Sequence, residues 1–241
     1  MSVTSVPETS RSSVSASPRP GHALVIGAAG FAWCSLALGL STVGVMNAAG
    51  SSMILSGTFF YGGIVQLVAG FFALAAGATF AAAFLTAYGA FWLGYTAIQV
   101  YVVPHIVASV MASGAHTGAS ALALQAQAGH DVVQALGVFL IAWLVVTLIF
   151  TVASLGTNAV TLLAFGLLNV TIVLLIAAYL DASSVGAPVN AALHGAGWAE
   201  IVLAAVAFYI VLAELANETL QRPVFPLFPL RRSAPAVAQP A

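Results

Sequence analysis

No lysine or arginine occurs between positions 20 and 221 of this 241-residue chain, and that absence restricts its possible folds more than any other feature. The chain is 61% hydrophobic and only 5% charged, whereas about 25% of the residues of an average soluble domain are charged. We therefore expect an integral membrane protein. The net charge of -1 provides no basic surface for a nucleic-acid partner.

Six segments are long and apolar enough to cross a membrane as helices. A span needs about 20 apolar residues, because a helix rises about 1.5 Å per residue and the hydrocarbon is about 30 Å thick. None of the segments shows the short alternating pattern of barrel strands. The sequence thus predicts an all-α bundle with six transmembrane helices, which cover His22–Met46, Ser52–Ala76, Ala78–Val103, Asp131–Leu155, Asn158–Leu180 and Ala191–Ala216.

An even number of spans places both ends of the chain on the same side of the membrane. Basic flanks favour the cytoplasm, and all five basic residues lie in the two tails, at Arg11, Arg19, Arg222, Arg231 and Arg232. We expect both termini to be cytoplasmic, in an inner or plasma membrane. The predicted parts are a disordered tail over residues 1–21, a transmembrane domain over 22–216 and a second tail over 217–241. The connection from Pro104 to His130 then faces outward.

Few polar residues lie inside the predicted spans. Such groups are costly in lipid unless they face another helix or a water-filled path, although a threonine commonly bonds its own helix backbone. Tyr88 lies about ten residues from the nearer end of its span, too deep for the aromatic belt at the membrane surface. We take as candidates for a substrate path Tyr61, Gln66, Thr86 and Asn169.

Glu200 and Glu214 are the two acidic residues well inside a predicted span. A separation of fourteen residues brings them to nearly the same face of a helix. Because hydrocarbon disfavours a charged carboxylate, we expect both to be protonated part of the time, which suits proton coupling. For Glu214, pairing with Arg222 at the membrane surface is an equally open interpretation.

The sequence indicates neither a cofactor nor a metal site. Cys34 is the only cysteine, so it forms no disulfide and no thiolate site within the chain. The spacing of His105, His116 and His130 matches no compact metal site. No nucleophile and base lie together, so we do not expect an enzyme. With no cation to pair with a carboxylate or phosphate, a solute path would carry a small, weakly charged cargo, bound by neutral donors or crossing in protonated form.

Residues 60–92, FYGGIVQLVAGFFALAAGATFAAAFLTAYGAFW, resemble the acetate uptake transporter family, also called succinate/acetate permeases. The family block Phe-Tyr-Gly-Gly-x-x-Gln-x-x-x-Gly is complete between Phe60 and Gly70. Gly-x-Thr-Phe follows from Gly77, and Tyr-Gly-x-Phe-Trp follows from Tyr88. The similarity extends over roughly residues 27–226.

The resemblance implies a six-helix protomer of a homo-hexamer, each protomer with its own pore, moving acetate and related short carboxylates with protons. The hydrophobic constriction of the family falls on Phe31, Tyr88 and Leu168, and Tyr88 would direct its hydroxyl at the permeating acid. Gly89 would allow a neighbouring helix to come close.

Three departures from the family pattern suggest a divergent member. The segment HALVIGA (22–28) keeps only Gly27 of the usual Asn-Pro-Ala-Pro-Leu-Gly-Leu. The hairpin after the second span has Ala73 and Ala78 where the family has Glu and Asn, and Glu200 stands where the family more often has a small residue. The cargo of such a member need not be acetate. Two other interpretations stay open: a passive channel for small anions or neutral solutes through the same pore, and a membrane sensor or assembly component without transport.

Overall fold

The computed structural model describes residues 23–114, 117–181 and 190–230. These ranges contain six helices that are long and apolar enough to cross a membrane, which confirms the predicted fold. They are α1 (Ala23–Thr42), α2 (Ala48–Gly57, then a π-helical segment Thr58–Val65, then Gln66–Ala75), α3 (Thr79–Ala97, then a π-helical segment Ile98–Val102, then Val103–Gly114), α4 (Ala121–Ser154), α5 (Ala159–Asp181) and α6 (Ala191–Thr219). The predicted N-terminal tail and the end of the C-terminal tail lie outside the described residues.

Short polar side chains start several of the helices by accepting a hydrogen bond from a first-turn backbone N–H. The Oδ1 atom of Asn47 accepts from Gly50 N at 2.9 Å at the start of α2, and Ser120 Oγ accepts from Ala123 N at 3.2 Å at the start of α4. Asn158 and Asn190 cap α5 and α6 in the same way, each at 2.8 Å. These four helices therefore begin where the sequence supplies a suitable acceptor, whereas α3 begins after Ala78 without a side-chain cap.

The helices α3 and α4 extend further than predicted. The spans were expected to end at Val103 and to begin at Asp131, but α3 continues to Gly114 and α4 begins at Ala121. Their 36 and 34 residues correspond to about 54 and 51 Å, well beyond the hydrocarbon thickness of about 30 Å. The adjoining ends thus form a helical hairpin outside the hydrocarbon. A search for apolar spans does not detect a helix that continues past the membrane.

Close approach of backbones holds α1, α2 and α3 together. A Cβ atom added to Gly30 on α1 would lie 2.5 Å from the carbonyl oxygen of Tyr61 on α2. A Cβ atom at Gly89 on α3 would lie 2.7 Å from the backbone nitrogen of Leu67. Since lipid is as apolar as the side chains, such contacts supply the van der Waals attraction that associates helices in a membrane.

The segment that follows α6 folds back onto the bundle. The Oδ1 atom of Asn217 accepts hydrogen bonds from Val224 N and Phe225 N at 2.7 and 2.9 Å. Further along, Leu230 N donates to Thr157 O at 3.0 Å. The predicted C-terminal tail from 217 thus begins as the last turn of α6. Its described part contacts the turn between α4 and α5.

We predict that Gly89→Ala destabilises the protein because the new methyl group meets the backbone of α2, which cannot move aside as a side chain can. The expected loss is about 1–3 kcal/mol, the usual cost of overpacking. Gly94→Ala on the same helix is the control, since a Cβ atom there meets nothing within 4 Å. Thermal unfolding of the purified protein in detergent measures both. Equal stability of the two variants would contradict the prediction.

Candidate functional site

An apolar cavity of about 120 Å³ lies inside the bundle, towards the end where α1 begins and α6 ends. The first turns of α1 and α3, the turn between α4 and α5, and the second half of α6 form its walls. A cavity of this size holds several water molecules or a short organic acid. Its lining includes Leu24, Phe84, Asn158, Ala164, Leu203 and Ile210.

Three apolar side chains predicted to form a constriction meet at one end of this cavity. Phe31 on α1, Tyr88 on α3 and Leu168 on α5 all line it, and all belong to one buried apolar cluster. The rings of Phe31 and Tyr88 contact edge to face, with centroids 5.4 Å apart. Leu203 on α6 completes the same end. The structure thus brings together residues that are distant in sequence.

The hydroxyl of Tyr88 is directed at α4. Its oxygen lies 2.7 Å from Oγ1 of Thr147, and that hydroxyl donates to the carbonyl oxygen of Trp143 at 2.8 Å. Thr147 has one hydrogen to donate, so Tyr88 is the donor of the bond between the two side chains. The resemblance implied a hydroxyl aimed at the cargo, whereas here the bond fixes the ring against α4 and the ring faces the cavity.

Three phenylalanines that the sequence reasoning missed also line the cavity: Phe80, Phe84 and Phe165. The centroids of Phe80 and Phe84 each lie 5.8 Å from that of Phe165. Phe80, Phe84 and Tyr88 are spaced four residues apart, so they share one face of α3. That spacing was the available signal, but it is weak in a chain where most residues are apolar.

The four candidates for the substrate path lie away from the cavity lining, and all four belong to the described chain. Thr86 donates to Ala82 O at 2.8 Å and packs against Gly70. Tyr61 is half-buried on α2, where its backbone contacts α1. The structure therefore groups Tyr61 and Thr86 with helix packing.

Gln66 and Asn169 are different because each has a buried polar atom without a hydrogen-bond partner among the described residues. Both side-chain polar atoms of Gln66 are unpartnered, and its side chain is fully buried. Asn169 donates to Thr151 Oγ1 at 2.6 Å and to Phe165 O at 2.8 Å, but its Oδ1 atom is unpartnered. A buried acceptor left in this state is a place for a water molecule or another polar occupant.

The two predicted proton sites differ in their surroundings. Glu200 is 5% exposed, and its Oε2 atom has no hydrogen-bond partner among the described residues. It lies one turn from Leu203, on the face of α6 that lines the cavity. Glu214 is half-buried near the end of α6. Of the two, Glu200 is the acid inside the bundle.

No cluster of histidine, cysteine or acidic residues that could hold a metal occurs in the described part of the chain, which includes His105 and His130. His130 Nδ1 lies 3.6 Å from Oδ1 of Asp131, and both side chains are about half exposed. His105 lies on the far end of α3, and His116 is outside the described residues.

Comparison with known proteins identifies relatives along most of the chain. Acetate permease A of Emericella nidulans is 27% identical over 80% of this chain and 61% of its own length. The glyoxylate pathway regulator of Yarrowia lipolytica is also 27% identical, over 82% of this chain and 64% of its own length. This chain therefore spans less than two thirds of the length of these two fungal relatives.

Bacterial relatives match over nearly their whole length. The succinate-acetate/proton symporter SatP of Escherichia coli strain K12 is 30% identical over 84% of this chain and 92% of its own. A solved structure of the bacterial acetate channel SatP matches with a TM-score of 0.67 and 31% identity, over 87% of this chain and 99% of that chain. These names describe transport rather than catalysis, as expected for a chain that is not an enzyme.

The sequence pattern of the GPR1/FUN34/yaaH family matches residues 8–232. This match spans most of the chain and includes Phe31, Tyr88 and Leu168. The chain therefore belongs to the GPR1/FUN34/yaaH family, and its resemblance to the acetate uptake transporters is confirmed.

Proposed function

We propose that this chain is a membrane transporter for acetate or a related small monocarboxylate, coupled to protons. The observation that carries the proposal is the apolar cavity that ends at Phe31, Tyr88 and Leu168 inside a six-helix membrane bundle. The names of two relatives, an acetate permease and a succinate-acetate/proton symporter, support the substrate class and the coupling.

The constriction discriminates between solutes because it excludes water. Closely packed apolar side chains exclude water and thereby hinder an ion that keeps its hydration shell. A short acid with a methyl group can contact these side chains in protonated form. The described parts of the six helices contain no lysine or arginine, so a bare carboxylate would find no cation to pair with on its way.

Glu200 is our proposed proton site. Its carboxyl is buried on the same face of α6 as Leu203 and Ala207, which line the cavity. A carboxyl in such surroundings can hold a proton without a fixed charge nearby. Glu214 is the second candidate for the proton site, closer to the end of the bundle.

Of the residues proposed for the substrate path, Gln66 and Asn169 are supported by their unpartnered amide atoms. Tyr61 and Thr86 rest on the sequence alone.

A passive channel is the second candidate function. The solved structure that this fold matches is described as an acetate channel. A channel would use the same cavity and constriction but would only equilibrate its cargo. Accumulation against a gradient separates the two functions.

The proposed assembly is a homo-hexamer in the inner or plasma membrane with both termini in the cytoplasm. The arginines in the tails support the cytoplasmic position of the termini. The exposed apolar side chains of α2, including Met53, Phe60 and Phe72, support the assembly. Such side chains suit contact with lipid or with neighbouring copies. The proposed cytoplasmic tails are residues 1–21 and 217–241.

We predict that Tyr88→Phe and Thr147→Val lower the initial rate of acetate uptake by similar factors, of several-fold. Each removes the same hydrogen bond, which contributes about 1 kcal/mol to holding the ring in place. Uptake of radiolabelled acetate into proteoliposomes measures the effect. Thr42→Val is the control, because Thr42 bonds its own helix at Leu38 O. A much larger loss in Tyr88→Phe than in Thr147→Val would show that the hydroxyl acts on the cargo itself.

We predict that Phe31→Ala widens the constriction and raises butyrate uptake relative to acetate several-fold. The aromatic ring fills the end of the cavity, and its removal leaves room for a longer chain. Phe71→Ala, which removes an equal ring from an exposed position on α2, is the control. An unchanged ratio in Phe31→Ala would remove Phe31 from the constriction.

We predict that Glu200→Gln abolishes accumulation of acetate driven by an inward proton gradient, because the amide cannot take up and release the proton. Glu214→Gln should reduce it less, since Glu214 lies nearer the end of the bundle. Proteoliposomes with and without the gradient provide the measurement. Accumulation in Glu200→Gln equal to that of the unmodified protein would exclude Glu200 from the coupling.

A further inference from the structure

The turn between α4 and α5 and the last third of α6 form the end of the cavity that lies away from the constriction. Thr157, Asn158 and Thr161 line this end, seven to eleven residues before Leu168 in the chain. Ile210 lines it from α6. We call this the turn end of the cavity. A cargo that reaches the cavity from this side passes between the turn and α6.

A strap of residues 221–230 leaves the end of α6 and is held against that helix. Tyr209 Oη donates to Pro226 O at 2.8 Å, and the rings of Tyr209 and Phe225 contact edge to face with centroids 6.5 Å apart. Asn217 Oδ1 accepts from two backbone N–H groups of the strap at 2.7 and 2.9 Å. Its Nδ2 atom donates to Phe225 O at 2.8 Å. The first half of the strap is thus fixed to α6.

The second half of the strap is paired with the turn between α4 and α5. Ala159 N donates to Phe228 O at 2.9 Å, and Leu230 N donates to Thr157 O at 3.0 Å. These two bonds form a short antiparallel pairing of the two segments. Thr157 and its neighbour Asn158 line the cavity, so the strap holds the backbone of the cavity wall itself. It therefore ties α6 to the turn at the turn end of the cavity.

The docked strap contains a strained backbone. Phe228 has a φ of +55°, a left-handed conformation that is rare for a bulky residue. Its side chain is 60% exposed, so the ring gains little contact in return. Because the Phe228 carbonyl accepts the bond from Ala159, the strain belongs to the docked state, and undocking relieves it. Hydrogen bonds thus hold the strap against an opposing backbone cost, as expected of an element with two positions.

Proline at every third position makes the strap stiff. Pro223, Pro226 and Pro229 follow the three-residue repeat of a polyproline II chain, and each fixes its own φ. Segments of this kind behave as semi-rigid spacers. We therefore expect the strap to leave and return as a unit rather than residue by residue.

We propose that the strap is a latch on the turn end of the cavity. Docked, as in this structure, it holds the turn between α4 and α5 against α6 and keeps that end narrow. Undocked, it frees the turn to move away and admits the cargo. This inference rests on the proposed transport function and adds a conformational step to it. The rate of transport then depends on the fraction of molecules whose strap is undocked.

A disulfide across the pairing tests the latch directly. Asn158 and Pro229 lie opposite each other in the antiparallel bridge, and the Cα atoms of such a pair without mutual hydrogen bonds are about 4.5 Å apart, within reach of a disulfide. We expect the double variant Asn158→Cys with Pro229→Cys to take up acetate about tenfold more slowly when oxidised than after reduction, because only the undocked strap admits cargo. Each single variant, treated alike, should show the same uptake in both states. Cys34 is buried and does not compete for the new thiols.

Mass spectrometry of the double variant shows how much of it carries the bond. Equal uptake by the fully bonded and the reduced forms would overturn the latch. Failure of the bond to form would overturn it too, since the two segments would then not be paired. No uptake by the unmodified protein would instead contradict the transport function, so the two failures are distinguishable.

Weakening the docked state should raise uptake, whereas damage to a merely structural contact lowers it. Tyr209→Phe removes the hydrogen bond to Pro226 O and keeps the ring against Phe225, so the undocked fraction and the initial rate of acetate uptake should both rise several-fold. Asn217→Ala removes three hydrogen bonds and should raise the rate further. Tyr101→Phe, which removes a hydroxyl at an exposed position, is the control. An unchanged or lower rate in Tyr209→Phe would overturn the latch.

Two variants of Phe228 test the strain in the docked strap. Glycine adopts a φ of +55° readily, so Phe228→Gly should dock more firmly and take up acetate several-fold more slowly than Phe228→Ala. Both variants lose the same ring, and only alanine keeps the backbone cost. Equal uptake by the two variants would contradict a strained docked state.

Discussion

The hydrocarbon of the membrane leaves a polar group in this protein few partners besides other protein atoms. The helices satisfy their own backbone, and most embedded hydroxyls bond a carbonyl oxygen one turn away, as Thr86 and Thr147 do. Backbones then approach closely at residues such as Gly30 and Gly89. The few polar groups that escape this rule, among them Gln66 and Glu200, are the places where the bundle can bind something else.

The same constraint shapes the route through the bundle. Apolar side chains, among them Phe31, Tyr88 and Leu168, line the cavity, and the described parts of the six helices contain no lysine or arginine. A small acid that shares a proton with the protein suits such a route better than a free anion does. The hydrogen bond from Tyr88 to Thr147 links α3 to α4 and holds the tyrosine ring beside the cavity. Helix packing and the proposed choice of substrate therefore depend on the same physical constraint.

Much of the fold could be predicted from the sequence, because runs of apolar residues without charge identify membrane helices directly. The helical segments Val103–Gly114 and 121–130 were missed, since they lie beyond the hydrocarbon and apolar length does not define their ends. The grouping of Phe31, Tyr88 and Leu168 came from the resemblance to a family. Contacts such as Tyr88 with Thr147, which are 59 residues apart, depend on how the helices pack and leave no periodic signal. Glu200 stood out in sequence because an acid in hydrocarbon is rare.

We propose that a proton and a short monocarboxylate cross this bundle together. Uptake of radiolabelled acetate tests this in proteoliposomes that contain only this protein, with an inward proton gradient and then with an added uncoupler. We expect acetate to accumulate above its external concentration and this accumulation to collapse when the uncoupler is added. Uptake that only equilibrates and ignores the gradient would contradict it.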